Sequence, residues 1–231
     1  MTLIPWRLKN FLSEYCPLAY HLAVNFGLRG NDQAHWDQRL AETWDARDWP
    51  TKNELILRLT QPQEAILDIA CGTGSILRSL KGRGYCKLHG VEISQYAVDR
   101  LRGEGVVMYQ GRLPELPTPD ACFDVVIASQ ILEHVIYRRR FMREILRVLK
   151  PEGRALIFVP NDCLGPIDEP EHVIKYNQRS FTRFLSGLFD VLSIEIMRDR
   201  NHSMTLLFGH VRKPSGINRQ GVAVSSHSEG A

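Results

Sequence analysis

The sequence predicts an α/β fold, a doubly wound seven-stranded mostly parallel sheet with a helical N-terminal cap. Three observations predict it. From Ala65 to Val211 short β-rich runs alternate with segments of helical period, the pattern that right-handed crossovers assemble into a parallel sheet. The middle β-rich runs are continuously apolar, as strands covered on both faces require. The first run ends in Asp68-Ile-Ala-Cys-Gly-Thr-Gly74, so glycines open into a helical segment at the sheet edge where α/β domains hold ligands.

Residues 1–50 carry all four tryptophans (Trp6, Trp36, Trp44, Trp49) among scattered charge and are assigned to a helical cap, with the main domain at 51–212. Strands are expected at 64–70, 87–93, 106–109, 123–129, 154–160, 191–197 and 204–211. Helices are expected at 75–81, 94–102, 138–149 and 178–185, with Ser94 and Asn177 typed as capping residues. In the third of these, Phe141, Ile145, Val148 and Leu149 form the apolar stripe, while Arg139, Arg140, Arg143, Glu144 and Arg147 take the other face. Lys150-Pro-Glu-Gly153 should end it, because proline cannot continue a helix and glycine opens a turn. The Ser- and Gly-rich tail 213–231 has too few large apolar residues to order itself and is expected to be mobile.

A chain of 231 residues with 44% apolar and 24% charged residues can bury one sizeable core. Its formal charge of +3 is too small to imply a polyanionic partner. Arg138-Arg-Arg140 reads as a solvated helix face, since successive helical positions diverge, and no basic-aromatic groove for nucleic acid is evident. Five cysteines at 16, 71, 86, 122 and 163 form no C-x-x-C pair and leave an odd count, which fits a reducing, cytoplasmic setting without structural zinc or disulfides. The longest apolar stretches are strand-length, far below the roughly 20 residues of a membrane span. The first twenty residues contain no signal-peptide core.

Glycines after a strand let backbone approach a ligand, although a lone G-x-G is also an ordinary turn. Asp68, inside an apolar strand, requires donors or a cation nearby. Glu92 ends the second strand, where a carboxylate can accept from the vicinal hydroxyls of a ribose. Together these residues point to an adenosine-bearing cofactor.

LDIACGTGSIL resembles the first motif of class I S-adenosylmethionine-dependent methyltransferases, and HGVEIS their acidic second motif. GRLPELPTPDACFDVVIASQILEHV resembles the family's stretch from the third strand through the fourth, and RVLKPEGRALIFVPN its fifth-strand motif, so the resemblance spans about residues 50–211. It implies the Rossmann-like methyltransferase fold, S-adenosyl-L-methionine as cofactor, and a small-molecule acceptor methylated on a hydroxyl of a phenol, sugar or other biosynthetic intermediate. The implied cofactor-binding set is Asp68, Ala70, Cys71, Gly72, Gly74, Glu92, Ile93, Gly111, Arg112, Leu113 and Ser129. Asp68 would support the loop and the methionine amino group, Gly72 and Gly74 would line the cofactor, and Glu92 would hold the ribose.

Arg112 departs from the family, which often has an acid there to accept from the adenine amino group; arginine only donates. That leaves the backbone of Gly111–Leu113 and the side chain of Gln110 to flank adenine. A nicotinamide dehydrogenase would also place glycines and an acid here, but Leu77 stands where the third glycine of G-x-G-x-x-G belongs. A non-catalytic member of the fold, binding cofactor or a protein partner, is the alternative from another class.

Strand four runs into Ser129-Gln-Ile-Leu-Glu133-His134 at the same sheet edge. His134 can take a proton at neutral pH and Glu133 can orient it, although such a pair at a helix start also serves packing. LEHV resembles the ubiquinone-biosynthesis O-methyltransferase group, in which carboxylates and the histidine are linked to a divalent metal. Gln130 replaces one expected carboxylate by an amide, a poorer ligand for hard cations, so no metal is expected. The connection 161–172, with Asp168, Glu169, Glu171 and His172, is expected to cover the substrate, with Tyr15, Tyr20, Trp36 and Tyr176 as apolar walls. SQIL replaces the Asn/Asp-Pro-Pro-aromatic run of enzymes that methylate the amino groups of adenine and cytosine, which argues against that subclass.

Overall fold

In a computed structural model of the chain, the described residues are 32–44, 49–161, 172–202 and 204–215, with Leu8, Phe11, Leu12, Tyr15 and Cys16. Their order is α1 (Gln33–Thr43), α2 (Pro50–Arg58), β1 (Ile66–Ile69), α3 (Ser75–Lys81), β2 (Leu88–Glu92), α4 (Gln95–Gly103), β3 (Val107–Gln110) and β4 (Phe123–Ser129). A 3-10 turn (Leu132–His134), α5 (Arg138–Val148), β5 (Leu149–Pro160), α6 (Gln178–Ser186), β6 (Asp190–Arg198) and β7 (Thr205–Arg212) follow. Asp168, Glu169, Glu171, Tyr20 and the tail beyond residue 215 lie outside the described residues.

The strands form one sheet in the order β3-β2-β1-β4-β5-β7-β6. From β3 to β5 all neighbours are parallel, and β7 runs antiparallel to both β5 and β6. The chain winds outward from β1 to β3 and then returns to place β4 on the other side of β1. The order therefore reverses between β1 and β4, which leaves a crevice at their carboxyl ends.

Each face of the sheet has its own core. Leu67, Ile69, Val126 and Ala128 pack with Phe141 and Ile145 of α5 and Phe181 and Leu185 of α6. Ile66, Val125 and Ile127 point the other way, to Leu77 of α3, Leu101 of α4 and Ile56 of α2. Alternate residues of β1 and β4 thus serve opposite cores, which is why both strands are continuously apolar.

The expected caps are present: Ser94 Oγ accepts from Ala97 N–H at 3.2 Å, and Asn177 Oδ1 from Ser180 N–H at 2.8 Å. Two expectations are corrected. Helix α5 stops at Val148, because Leu149 pairs with Phe123 and begins β5, which bulges through Lys150–Gly153. At Gly153 an added Cβ would stand 2.9 Å from the Lys150 carbonyl oxygen, so glycine is needed for this bulge. Arg138 is not on a solvated face: it is buried, with its guanidinium 4.7 Å from the Phe184 ring centroid, while Arg139 and Arg140 are exposed. Among the described residues no helix is long and apolar enough to cross a membrane.

Candidate active site

A cavity of about 320 Å³ opens at the carboxyl ends of β1 and β4. Strand β1 delivers Asp68 and then turns sharply, with Ala70 at φ 52°, Gly72 at 53° and Gly74 at 75°. Gln130, just past β4, sits at φ 53°. Two non-glycine residues in the left-handed region at adjacent strand ends mark strained backbone of the kind that collects at ligand sites.

Glu92, at the end of β2, is 4% exposed. Its Oε2 accepts from Gly72 N–H at 2.9 Å, and its Oε1 from Ile93 and Ser94 N–H at 2.8 and 3.1 Å. Burial pushes its carboxyl above the usual range, against the pull of those three N–H donors. Asp68 is 1% exposed, and its Oδ2 has no hydrogen-bond partner among the described residues. Burial raises its pKa to about 7, with the Lys52 cation drawing it down and the Glu92 carboxylate pushing it up.

Of the expected cofactor set, Asp68, Ala70, Cys71, Gly72, Glu92, Ile93 and Ser129 line the cavity; Gly74, Gly111, Arg112 and Leu113 do not. Gly74 instead caps α3, and an added Cβ there would come within 2.4 Å of Leu101 Cδ2. Gly111 donates its N–H to the Glu92 carbonyl at 3.0 Å and faces Pro117, whose Cδ would lie 2.7 Å from an added Cβ. Arg112 is exposed. The glycine at 74 is thus required by helix packing, and the glycine at 111 by the close approach of the Pro117 ring.

Glu133, His134 and His172 line the same cavity. The Glu133 side chain is 1% exposed, and its backbone carbonyl accepts from Val173 and Ile174 at 2.9 and 3.2 Å, tying the 3-10 turn to the segment after His172. The His134 ring centroid lies 4.9 Å from that of His172 and 6.0 Å from that of Trp36. One ligand atom from each of Glu133, His134 and His172 falls within 4.8 Å of the others. Two imidazoles and a carboxylate form a donor set suited to divalent transition metals. Weighing Gln130 alone did not reveal it, because His172 arrives from beyond β5.

Sequence reasoning missed four side chains. Lys52 on α2 lines the cavity, as do Trp49 and His202, whose rings stack at 3.5 Å. Asp37 on α1 accepts from Ser94 Oγ at 2.6 Å and from Tyr96 N–H at 3.1 Å, and so fastens α1 to the start of α4. This places Trp36, Arg39 and Leu40 on the cavity wall. No local pattern marks these residues, since each acts across a tertiary contact.

Residues 67–157 match the family model described as a methyltransferase domain. The ubiquinone/menaquinone biosynthesis C-methyltransferase of Vibrio parahaemolyticus is 36% identical over 120 residues, covering 48% of this chain and 45% of that one. A Mycobacterium tuberculosis protein named "Probable S-adenosylmethionine-dependent methyltransferase" is 31% identical over 158 residues, covering 62% of this chain and 56% of that one. The chain thus spans about half the length of the curated relatives it matches. Among solved structures, an S-adenosylmethionine-dependent methyltransferase from Aquifex aeolicus superposes with a TM-score of 0.58 at 16% identity, covering 77% of this chain and 98% of that one. One from Methanosarcina mazei gives 0.57 at 18% identity, with 69% and 96% covered, so the likeness is one of fold. The motifs, the sheet order and the matched segment agree in marking residues 67–157 as a methyltransferase domain, of the class I S-adenosylmethionine-dependent type that the motifs resemble.

Proposed function

We propose that the protein transfers a methyl group from S-adenosylmethionine to a hydroxyl-bearing small molecule, with His134 taking the acceptor's proton. The observation that supports this reading is a single cavity lined both by the buried carboxylates Asp68 and Glu92 and by the Glu133-His134-His172 cluster.

The residues present fit the cofactor. Asp68 Oδ2 is a buried acceptor in want of a donor, which an α-ammonium group supplies. Glu92 spends three lone-pair directions on backbone N–H groups, and a carboxylate offers about four, so one remains for a ribose hydroxyl. When bound, S-adenosylmethionine supplies an electrophilic methyl group on a sulfonium. His134 accepts the proton of the acceptor hydroxyl at an imidazole nitrogen, and the Glu133 carboxylate stabilises the resulting imidazolium.

His172 favours a second reading of the deprotonation, in which Glu133, His134 and His172 would hold a divalent cation, and such an ion would supply Lewis acidity toward the acceptor hydroxyl. The relatives named as C-methyltransferases favour carbon over oxygen as the methylated atom. A phenolic acceptor serves both outcomes, because losing its proton also activates the adjacent ring carbon.

The test is mass spectrometry of host extracts incubated with the protein and methyl-labelled S-adenosylmethionine. A labelled small molecule is expected, and its fragmentation assigns oxygen or carbon. Label that never leaves the cofactor in any extract would overturn the proposal.

A further inference from the structure

Three large apolar side chains stand in water on one short helical stretch ahead of α1. Leu8, Phe11, Leu12 and Tyr15 are helical, and Cys16 N–H donates to the Leu12 carbonyl at 2.8 Å. On a helix these four positions form one stripe about 100° wide, with Leu12 at one margin and Phe11 at the other. The fold uses the Leu12 margin, which packs on the core that α5 and α6 cover. Leu8, Phe11 and Tyr15 are 46%, 54% and 67% exposed. Three such side chains on one stripe make a contact surface, where scattered single residues would not.

The helices on the same side of the sheet supply charge. Helices α5 and α6 together carry seven arginines against one acid, Glu144, whereas the whole chain has a formal charge of only +3. Arg147 is engaged by Glu144 and Asp120, Arg140 meets Glu115 at 2.6 Å, and Arg138 is buried on Phe184. Arg139, Arg143, Arg179 and Arg183 are exposed. The small net charge of the chain therefore hides a concentrated positive field on one face. The first turns of α5 and α6 follow shortly after the cavity-lining His134 and His172, so this face borders the rim where the cavity opens.

An apolar stripe containing tyrosine, on the same side of the sheet as guanidinium groups, complements a lipid surface of negative charge. Apolar side chains enter the boundary between headgroups and acyl chains, tyrosine suits the headgroup level, and arginines meet phosphates. Nucleic acid suits the face less well. The Phe11 and Tyr15 rings lie with centroids 4.9 Å apart, tilted 39° to each other, which commits their faces to one another rather than to a stacking base.

We propose that this face docks the protein on an anionic membrane surface, with Leu8, Phe11 and Tyr15 inserted at the interface and Arg139, Arg143, Arg179 and Arg183 against the lipid phosphates. The docking is peripheral, and it holds the rim of the cavity beside the bilayer.

Sedimentation of the full chain with lipid vesicles tests it. Wild-type protein should pellet with vesicles of phosphatidylcholine mixed with phosphatidylglycerol, and stay in solution with phosphatidylcholine alone. Binding should weaken at least tenfold at about 1 M salt, where the Debye length falls to about 3 Å. These measurements need no variant to fold. Phe11→Ser combined with Tyr15→Ser should weaken binding at least tenfold at an unchanged melting temperature, since both side chains are exposed. Arg143→Gln and Arg183→Gln should each cost about fivefold, the loss of one charge near an anionic surface, and Arg143→Lys should retain binding.

Wild-type protein that stays in solution with the anionic vesicles would overturn the proposal. So would equal binding to both kinds of vesicle, or serine variants that bind as wild type does. A short nucleic-acid duplex that is bound while vesicles are not would overturn it as well, and would give the arginine face to a different polyanion.

Discussion

Glu92 Oε2 accepts the backbone N–H of Gly72 at 2.9 Å, so the acid that ends β2 and the glycine loop that follows β1 form one hydrogen-bonded unit. The carboxylate assigned to the ribose also shapes the loop beside it. Replacing Glu92 by Gln keeps the volume but turns one acceptor into a donor facing backbone N–H groups. Affinity for S-adenosylhomocysteine should fall by about 1.5–3 kcal/mol, together with a lower melting temperature. Calorimetry showing wild-type affinity would remove Glu92 from the ribose site.

Asp68 should make cofactor binding depend on pH. An ammonium beside it favours the carboxylate form, so affinity for S-adenosylhomocysteine should rise with pH, by at most about tenfold per unit, until Asp68 is ionised in the free protein near pH 7. Asp68→Asn should bind weakly and lose this slope.

The stability of the free protein should move in the opposite sense. The folded-state pKa of about 7 is above the model value of 3.8, so the native state retains the proton longer. The stability contributed by Asp68 is fully present below pH 3.8 and is lost as pH rises through about 7. Thermal melts of Asp68→Asn should therefore gain on wild type across that window and run parallel to it above.

Gly74→Ala should destabilise the fold rather than only weaken binding. Its φ of 75° strains any Cβ, and that Cβ would press on Leu101 Cδ2 at 2.4 Å. A loss of about 1–3 kcal/mol is expected from denaturant titration, from backbone strain and overpacking together. Unchanged stability would mean that the α3–α4 contact is loose.

His134→Ala should slow methyl transfer by about 10²–10⁴-fold while leaving S-adenosylhomocysteine affinity close to wild type. A rate within a few-fold of wild type would leave His134 as a packing residue. A chelator separates the two readings of the deprotonation: metal-free protein should retain its rate if His134 is the base, and lose it if Glu133, His134 and His172 act through a cation.

Much of the architecture was legible in the chain because its signals are local. Continuous apolar runs mark strands buried on both faces, and Ser94 and Asn177 cap the helices they were expected to cap. The end of α5 was misplaced by one residue, because pairing of Leu149 with Phe123 outweighs the helix's own continuation. Arg138 was misread because its burial depends on Phe184, a residue of a different helix.

By itself the sequence determined the order of the seven strands and of helices α3 to α6, though not α2, together with the glycine loop with Asp68 and Glu92 and the Glu133-His134 pair, since each is written in neighbouring residues or in a motif of short span. Only the tertiary structure decided that Gly74 faces Leu101 rather than the cavity, that His172 joins Glu133 and His134, that Lys52 reaches the site from α2, and that Asp37 fastens α1 beside it. The physical reason is that a buried charge or a metal-type donor set is defined by what surrounds it in space. Those surroundings come from segments up to 147 residues apart, as in the bond from the Lys52 backbone to Asp199, which no local pattern records.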